Sequence, residues 1–461
     1  MRHINPILNT DSYKLSHFKQ YPPGTEYVYA YCESRGGEFD KALFFGLQMF
    51  VKQYLLQPIT KEDIDKAERR AAGHGVPFNR EGWEYILYNH KGLFPVEIRA
   101  VPEGSVVAAR NVLVTIVNTD PKCFWLTSYV ETALLRAVWY PTTVATISYQ
   151  CKKIIKKYLE KTADNLDGLP FKLHDFGARG TETYESACIG GVSHLVNFMG
   201  TDTLSSLDYA EEFYFEENAA YSVPASEHST MTSWGIEHEA DAYENMIDQF
   251  GGEGKLFSIV SDSYDIDNAV KSIYGVILKD KIINNGGTLV VRPDSGDPEK
   301  VPVRIVQELG DSFGYTINNK GFKMLPPYVR VIQGDGINVK TLPGILESFV
   351  QAGWSTDNIV FGMGSGLLQQ CNRDTLRFAM KTSQVTVDSS TRDVNKNPIT
   401  DPGKASKKGR FSVISVNGEY KTVPYDVIYA EDDYLELVYL NGEIKRTQTL
   451  AEIRANSNCY N

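Results

Sequence analysis

The stretch TLVVRPDSGDP, residues 288–298, is a short apolar run that ends in charged residues, proline and glycine. A run of this length, bounded by turn residues, is typical of a buried strand. The segment VPVRIVQELG, residues 301–310, follows it and carries apolar side chains at helical spacing. The stretch therefore predicts one unit of strand, polar loop and helix.

The same order of elements recurs along residues 146–377. Strands that alternate with helices are typical of parallel βα units. We therefore predict an α/β fold with a barrel-like or doubly wound sheet, in which ligands lie at the carboxyl ends of the strands. The strand segments are FKLHDFGARG (171–180), LVNFMGTDT (195–203), LFSIVSDSYD (256–265), TLVVRPDSGD (288–297), YVRVIQGDG (328–336) and NIVFGMGSG (358–366).

The two ends of the chain have a different pattern. TEYVYAYCES, residues 25–34, alternates aromatic with small or polar side chains, and residues 96–120 contain short apolar runs joined by a Pro-Glu-Gly turn. The tail returns to β-like and loop sequence. We predict a flanking mixed α+β domain made of residues 1–145 with 378–461, and an α/β barrel domain of residues 146–377.

Bulk composition limits the classes of function. The chain has 461 residues and a formal net charge of −11, which argues against broad nucleic-acid binding but not against a small anion held by local cations. The cysteines are scattered without a C-x-x-C pair, which favours a reducing compartment over a zinc site or disulfide framework. Without a signal-peptide pattern, or an apolar run of about 18 residues, we predict a cytoplasmic protein with no membrane span.

Charged side chains cluster at the predicted strand ends. Arg292 and Asp294 are two residues apart, so they face the same side of an extended chain. An arginine can fork onto a phosphate, and a carboxylate can bind sugar hydroxyls or a metal. Asp262, Asp265 and Asp335 follow other strands, although each aspartate could instead cap a helix or form an Asx turn.

Glycines and an aromatic residue follow two more strands. Alternate glycines in FGMGSG let backbone N–H groups approach an anion, while a tight turn explains them equally well. Phe176, close to Arg179, could stack a flat heterocycle or be an ordinary core residue. The cations of residues 404–410 suit either a solvated loop or an anion site.

The segment YSVPASEHSTMTSWG, residues 221–235, places Glu227 and His228 between a proline turn and a predicted helix. On this segment alone, a surface histidine or a helix cap at Ser229 explains the pair at least as well as catalysis does. The segment alone therefore assigns no chemical role to Glu227 and His228.

Ten segments, all in the same order, resemble the nicotinamide phosphoribosyltransferase family along nearly the whole chain. Such a resemblance is far more specific than one motif. The segments are TDSYKLSHFKQYPPGT, DNLDGLP, KLHDFGARG, HLVNFMGTDT, YSVPASEHSTMTSWG, VSDSYDIDNA, RPDSGDP, LPPYVRVIQGDG, FGMGSGLLQ and DPGKASKKGR.

The resemblance implies the type II phosphoribosyltransferase architecture, an irregular α/β barrel with a flanking β-rich domain built from both chain ends. It implies that nicotinamide and 5-phosphoribosyl 1-pyrophosphate give nicotinamide mononucleotide and pyrophosphate in NAD salvage. It further implies a homodimer with shared active sites, a requirement for Mg2+, and ATP as a coupled co-substrate. It assigns no metal ligands.

The resemblance also implies roles for individual residues. Phe176 would stack on one face of the nicotinamide ring, with Tyr13 of the partner subunit on the other face. Asp202 would accept a hydrogen bond from the carboxamide NH2, and Arg292 would also bind nicotinamide. His228 would be phosphorylated by ATP, with Glu227 orienting its ring. Arg292 and Asp294 complete the catalytic set.

A further group would bind the phosphoribosyl and pyrophosphate moieties, helped by the cations of residues 404–410. The residues of this group are Arg179, His228, Arg292, Asp265, Asp294, Gly334, Asp335, Gly364, Ser365, Arg373 and Arg35. The sequence departs from the family where GMGSG replaces a more glycine-rich loop, so Ser365 restricts the backbone, and in GTETYES after Arg179.

Three alternatives remain. A nicotinate phosphoribosyltransferase has the same fold, but the Asp202 carboxylate would repel a carboxylate substrate. A metal-dependent barrel hydrolase leaves Phe176 and Tyr13 unexplained. A non-enzymatic binding protein on this fold would not need His228, Arg292 and Asp294.

Overall fold

The computed structural model describes residues 4–400, 404–427 and 432–458. Cys459 and the first three residues of DPGKASKKGR lie outside these ranges. The chain divides into two compact units. The first unit comprises Met1–Thr146, Glu212–Glu216 and Cys371–Asn461, and the second comprises Ile147–Glu211 and Glu217–Gln370. The C-terminal part of the first unit thus begins at Cys371, where the sequence predicted residue 378.

The strands are numbered in chain order. They are β1 (Thr25–Glu33), β2 (Lys41–Leu43), β3 (Val96–Ala100), β4 (Val106–Ala108), β5 (Val112–Asn118), β6 (Leu173–Asp175), β7 (Gly200–Thr201), β8 (Leu256–Val260), β9 (Thr288–Arg292), β10 (Thr316–Ile317), β11 (Lys323–Met324), β12 (Val329–Gln333), β13 (Ile359–Met363), β14 (Ala379–Val387), β15 (Ser390–Asp393), β16 (Phe411–Val416), β17 (Glu419–Pro424), β18 (Glu436–Leu440) and β19 (Glu443–Ile444).

The α-helices follow the same convention. They are α1 (Leu47–Phe50), α2 (Lys61–His74), α3 (Arg80–Asn89), α4 (Leu126–Tyr129), α5 (Glu131–Thr162), α6 (Tyr184–His194), α7 (Ser205–Tyr214), α8 (His228–Thr232), α9 (Glu239–Phe250), α10 (Ile266–Asn268), α11 (Lys279–Asn284), α12 (Val301–Phe313), α13 (Leu342–Gln351), α14 (Ser365–Leu368) and α15 (Leu450–Asn458). Short 3₁₀ turns, among them Ser12–Lys19 and Ala178–Gly180, and π-helical segments such as Ala269–Ile277 lie between them.

The first unit is built on an antiparallel sheet with the strand order β15-β14-β1-β5-β3-β18-β19. Its interior strand β1 pairs with β5 on one side and with β14, from the tail, on the other. Strands from both ends of the chain therefore share one sheet. An aromatic cluster of Trp83, Trp125 and Tyr129 lies in the core of this unit.

The second unit contains a parallel sheet with the order β7-β6-β13-β12-β9-β8. Residues 221–226 extend this sheet from both edges, because Tyr221 bridges to Gly200 in β7 and Ala225 bridges to Ser258 in β8. The sheet thereby curls into an irregular barrel, and the predicted α/β barrel is confirmed. Each predicted strand segment contributes one strand, with the shortest, β7, limited to Gly200–Thr201.

The helices of the second unit are amphipathic. In α13 the buried residues Leu342, Ile345, Leu346 and Phe349 recur at helical spacing, as do Ile305, Val306 and Leu309 in α12. Strand β13 carries no charged or polar side chain, and β12 and β13 are each buried at all but one residue, as expected for parallel strands covered on both faces. Polar side chains are thereby displaced to the strand ends. Among the described residues, no helix combines the length and apolar composition needed to cross a bilayer.

Candidate active site

A cavity of about 320 Å3 lies in the barrel of the second unit. Its walls are largely apolar, with a carboxylate, a guanidinium and an imidazole among them. The lining residues are Phe171, His174, Phe176, Asp202, Tyr221, Ser222, Val223, Ala225, Leu256, Ser258, Val290, Arg292, Ile332 and Val360. The structure thus brings together Phe176, Asp202 and Arg292, all of which the sequence predicted for the nicotinamide site.

Phe176 follows strand β6, and its N–H donates to the carbonyl of Met363 at 3.0 Å. Its ring lies against strand β13, where a Cβ at position 362 would be only 1.9 Å from Cε2 of the ring. Gly362 therefore leaves the space that Phe176 occupies. The glycines of FGMGSG were predicted to serve an anion, and this one serves an aromatic ring.

Asp202 follows β7, and its N–H donates to the carbonyl of Asp175 at 2.9 Å. Its Oδ1 accepts from Oγ of Ser222 at 2.6 Å. Backbone and carboxylate are therefore both held in place, and one carboxylate oxygen already has a donor. Sequence reasoning found Asp202 but not Ser222, which belongs to the closing segment of the barrel.

His174 lies in β6 with its ring against Gly200, where a Cβ would be 2.8 Å from the ring atoms. Burial lowers the pKa of His174, and the nearby Asp202 carboxylate only partly opposes that effect. A lowered pKa keeps this imidazole neutral near pH 7. The cavity therefore offers a neutral ring beside one carboxylate and one guanidinium.

Arg292 is the last residue of β9, and its side chain is only 15% exposed. Its Nε lies 3.8 Å from Oδ1 of Asp294, as an ion pair beyond hydrogen-bond distance, and has no hydrogen-bond partner among the described residues. A buried guanidinium N–H gains from an acceptor, because leaving it unpaired costs free energy. Arg292 is therefore placed to bind an oxygen of a ligand in the cavity.

His228 is the first residue of α8, and its Nε2 lies 3.0 Å from Oδ1 of Asp262. The sequence did not predict this partner, and the expected role of Glu227 in orienting the ring stays a prediction. Glu227 is the N-cap of α8, and its carboxylate accepts from the hydroxyl of Ser229. An N-cap residue turns its side chain toward the start of its own helix, away from the ring that follows.

Asp262 follows β8 and joins two strand ends. Its Oδ2 accepts from the backbone N–H of Asp294, at 3.1 Å, and from the hydroxyl of Ser295, while its Oδ1 faces His228. Sequence reasoning left this residue among several acidic strand-end side chains. Asp262 differs from the other acidic residues because β8 lies next to β9, and this strand order could not be read from the sequence.

The remaining carboxylates have separate surroundings. Oδ1 of Asp265 caps helix α10, accepting from the N–H groups of Asp267 and Asn268 at 2.9 and 3.1 Å. That capping was one alternative for this residue, and its predicted ribose contact stays a prediction. Burial raises the pKa of Asp294, with Asp262 and Asp335 adding to the shift and Arg292 and His228 opposing it. Asp294 therefore lies among charges of both signs.

The glycine loop begins a short helix. Gly364 is the N-cap of α14 and Ser365 its first residue. The turn Ala178–Gly180, which carries the exposed Arg179, lies beside it, since a Cβ at Gly180 would be 3.5 Å from Cβ of Ser365. Gly334 similarly lies beside Asp294, where a Cβ would be 3.2 Å from Oδ1. The predicted phosphate-binding residues Arg179, Gly364 and Ser365 are thus neighbours.

A second cavity, of about 670 Å3, lies in the first unit and is strongly basic. The structure brings together here the predicted residues Arg35, Arg373 and Lys404, and adds cations that sequence reasoning missed: Arg110, Arg377, Lys381 and Lys396. Burial lowers the pKa of Lys381, Glu131 opposes the shift, and the like charges of Arg35 and Lys396 add to it. Such crowding of cations suits a multiply charged anion.

Known proteins resemble this chain in sequence along most of its length. Residues 171–439 match the nicotinate phosphoribosyltransferase (NAPRTase) family, and residues 5–98 match the N-terminal domain of nicotinamide phosphoribosyltransferase. The chain is 51% identical over 460 residues to a nicotinamide phosphoribosyltransferase of Xanthomonas campestris pv. campestris (strain 8004), covering 98% of each chain. A protein of the same name from Acinetobacter baylyi is 34% identical over 489 residues, covering 98% of this chain and 96% of that one. The chain belongs to the nicotinate phosphoribosyltransferase family.

Solved structures agree with this family in fold. Nicotinate-nucleotide pyrophosphorylase from Pyrococcus furiosus matches with a TM-score of 0.64 and 15% identity, covering 98% of this chain and 94% of that one. Human nicotinic acid phosphoribosyltransferase matches with a TM-score of 0.55 and 16% identity, covering 98% and 93%. The predicted type II phosphoribosyltransferase fold with flanking antiparallel sheets is confirmed, as is the enzyme class, a pentosyltransferase.

Two other groups of this phosphoribosyltransferase lie in its first unit. Tyr13 lies in the turn Ser12–Lys19 of the first unit and is 58% exposed, and its contact with a ligand of the partner subunit stays a prediction. His90, Asp120 and Cys123 place possible metal-ligating atoms within 4.8 Å of one another. Asp120, however, already faces His90 at 2.8 Å and accepts from Tyr85 at 3.0 Å, so hydrogen bonding accounts for this group.

Proposed function

We propose that the protein is a nicotinamide phosphoribosyltransferase of NAD salvage. It would transfer the phosphoribosyl group of 5-phosphoribosyl 1-pyrophosphate to nicotinamide, giving nicotinamide mononucleotide and pyrophosphate. The single observation that carries this proposal is the Asp202 carboxylate in a largely apolar cavity that Phe176 and Arg292 also line. The names of the two bacterial relatives support the same substrate.

The cavity suits a flat pyridine amide. Phe176 offers an aromatic face for stacking, which favours a heterocycle of this size. Asp202 can only accept hydrogen bonds while it is ionised, so it matches a carboxamide NH2 and repels a carboxylate. The Arg292 guanidinium, which only donates, matches the amide carbonyl.

The reaction makes modest demands on proton transfer. The lone pair of the pyridine nitrogen attacks the anomeric carbon, the bond from that carbon to the pyrophosphate oxygen breaks, and its electrons leave with the pyrophosphate. No strong general base is needed. Positive charge develops on the sugar, where a nearby carboxylate such as Asp294 is stabilising. The protein contributes mainly by holding the two reactants in line, an effect worth roughly 7–11 kcal/mol in favourable cases.

The phosphates have two candidate regions. The neighbouring Arg179, Gly364 and Ser365 offer a guanidinium and amide groups at a helix start for the 5′-phosphate. The basic cavity with Arg35 and Arg373 offers several cations for a polyphosphate. Contacts of Asp265, Asp335 and Gly334 with the sugar remain part of the proposal.

ATP coupling through His228 is a further part of the proposal. The imidazole would attack the γ-phosphorus, ADP would leave with the bond electrons, and water would later hydrolyse the phosphohistidine. The half-exposed ring, held by the nearly buried carboxylate of Asp262, supports this role.

Mg2+ fits the strand-end carboxylates. Asp294 has a pKa raised by burial, with the carboxylates of Asp262 and Asp335 adding to the shift, so a divalent cation would relieve their mutual repulsion. We infer that Asp294 and Asp335 would hold it. The bound ion would neutralise charge on the departing pyrophosphate.

A homodimer with shared active sites and a cytoplasmic location are also proposed. Light scattering of the purified protein measures its mass directly, and a monomeric mass at working concentration would contradict the dimer. Fractionation of the source cells tests the location.

The substrate assignment is tested by incubating the protein with 5-phosphoribosyl 1-pyrophosphate and Mg2+, with either nicotinamide or nicotinate, and with or without ATP. Formation of nicotinamide mononucleotide supports the proposal, and turnover of nicotinate alone supports the alternative enzyme. No turnover of either supports a binding protein. The variant Asp202→Asn should lose most of the preference for nicotinamide, and an unchanged preference would remove Asp202 from its role.

A further inference from the structure

Ser222 contacts the Asp202 carboxylate, and both residues line the cavity. The hydroxyl of Ser222 donates to Oδ1 of Asp202 at 2.6 Å. A serine hydroxyl has a single proton and two acceptor lone pairs. With that proton directed at Asp202, the serine oxygen presents only lone pairs to anything else that approaches.

The backbone of Ser222 is fixed by the closure of the barrel. Next to it, Tyr221 donates through its N–H to the carbonyl of Met199 at 2.8 Å and accepts from the N–H of Thr201 at 3.1 Å. Farther along the segment, Ser226 donates to the carbonyl of Ser258 at 3.0 Å. The backbone of Asp202 is fixed by the hydrogen bond from its N–H to the carbonyl of Asp175. The hydroxyl and the carboxylate thus meet at a distance set by the fold.

We propose that Ser222 is a specificity-determining residue, which makes this edge of the cavity accept hydrogen bonds only. Oδ2 of Asp202 and Oγ of Ser222 form a pair of acceptors that suits the two N–H groups of a carboxamide. A carboxylate brings no donor to such a pair and adds charge repulsion. The inference rests on the proposed function, because it explains how nicotinamide is preferred over nicotinate.

The test compares Ser222→Ala with Ser222→Thr, which keeps the hydroxyl. For each, KM and kcat are measured with nicotinamide and with nicotinate, and the binding of each compound is measured by calorimetry. Ser222→Ala should raise the KM for nicotinamide about tenfold, with kcat and the KM for 5-phosphoribosyl 1-pyrophosphate nearly unchanged, because it removes an acceptor for the carboxamide. The threonine variant should recover most of the loss.

Ser348→Ala is a matched control, since Ser348 lies on α13 and its hydroxyl donates to the carbonyl of Ile345 in the same helix. Because Ser222 is exposed, its alanine variant should melt like the parent protein. If the parent turns over nicotinamide and Ser222→Ala keeps the same KM and preference, the inference about Ser222 is overturned while the proposed function stands. If the parent neither binds nor turns over nicotinamide, both fail.

Discussion

The Nε2 atom of His228 lies 3.0 Å from Oδ1 of Asp262, a residue 34 positions further along the chain. Asp262 is only 8% exposed, whereas His228 is 46% exposed. A nearly buried carboxylate therefore anchors a ring whose other nitrogen can meet a ligand. Such an arrangement would suit the nucleophile that we propose for ATP coupling.

The first prediction is that Asp262 and Glu227 contribute differently to ATP-stimulated turnover. Asp262→Asn should lower ATP-stimulated turnover at least about tenfold, because a neutral amide stabilises a charged imidazole less well than a carboxylate does. Glu227→Gln should keep ATP stimulation, since glutamine can still accept from Ser229. Turnover with and without ATP measures both. A loss in Glu227→Gln that matches the loss in Asp262→Asn would contradict the assignment.

The second prediction concerns which nitrogen is phosphorylated. A carboxylate accepts hydrogen bonds, so Asp262 favours the tautomer with the proton on Nε2 and the lone pair on Nδ1. Incubation with ATP should therefore give 1-phosphohistidine, with phosphorus on Nδ1. Phosphorus NMR and isomer-specific antibodies distinguish it from the 3-isomer, with His228→Ala as the control. A phosphate on Nε2 would show that the Asp262 contact breaks before transfer.

The strands could be predicted because each is a short apolar run that ends at a polar loop, as in β9 and β13. Their order in the sheet could not, because it depends on which crossover helices pack against which strands. Partners that lie far apart in sequence were consequently missed. Ser222 meets Asp202 only because residues 221–226 bridge β7 and β8, and Asp262 meets His228 for a similar reason.

The basic cavity shows the same limit. Arg35 and Lys404 come from opposite ends of the chain, and no spacing in the sequence relates them. Their roles were expected from the family resemblance alone. Lys381 and Lys396, which crowd the same cavity, carry no motif that would single them out.

The third prediction concerns Gly362. Gly362→Ala would place a Cβ 1.9 Å from Phe176 Cε2, so the ring must move and the KM for nicotinamide should rise at least about tenfold. In a Phe176→Ala background, the same change should add little, because the clash is absent. A full additional loss in the double variant would contradict a role through the ring. Gly73→Ala, with no atom within 4 Å of its Cβ position, is the control and should leave the KM unchanged.

The fourth prediction is a pH dependence of stability at Asp175, which is fully buried at the end of β6. Burial raises its pKa from 3.8 to about 6, against the bond from the N–H of Gly177. The native state therefore keeps this proton to higher pH than the unfolded chain does. The resulting contribution to stability is fully present below about pH 3.8 and is lost as pH rises through about 6.

Asp175→Asn does not titrate, so its stability relative to the parent should rise between pH 4 and pH 7, by about 3 kcal/mol from the size of the shift. Urea denaturation at a series of pH values measures the difference. Asp297→Asn should show the opposite trend only below about pH 3.8, because the hydrogen bond from Lys300 lowers the pKa of Asp297 from 3.8, so its contribution is fully present above that pH and is lost as pH falls further. A parent and Asp175→Asn pair whose difference does not change with pH would mean that the carboxylate of Asp175 is ionised in the folded protein as readily as in the unfolded chain.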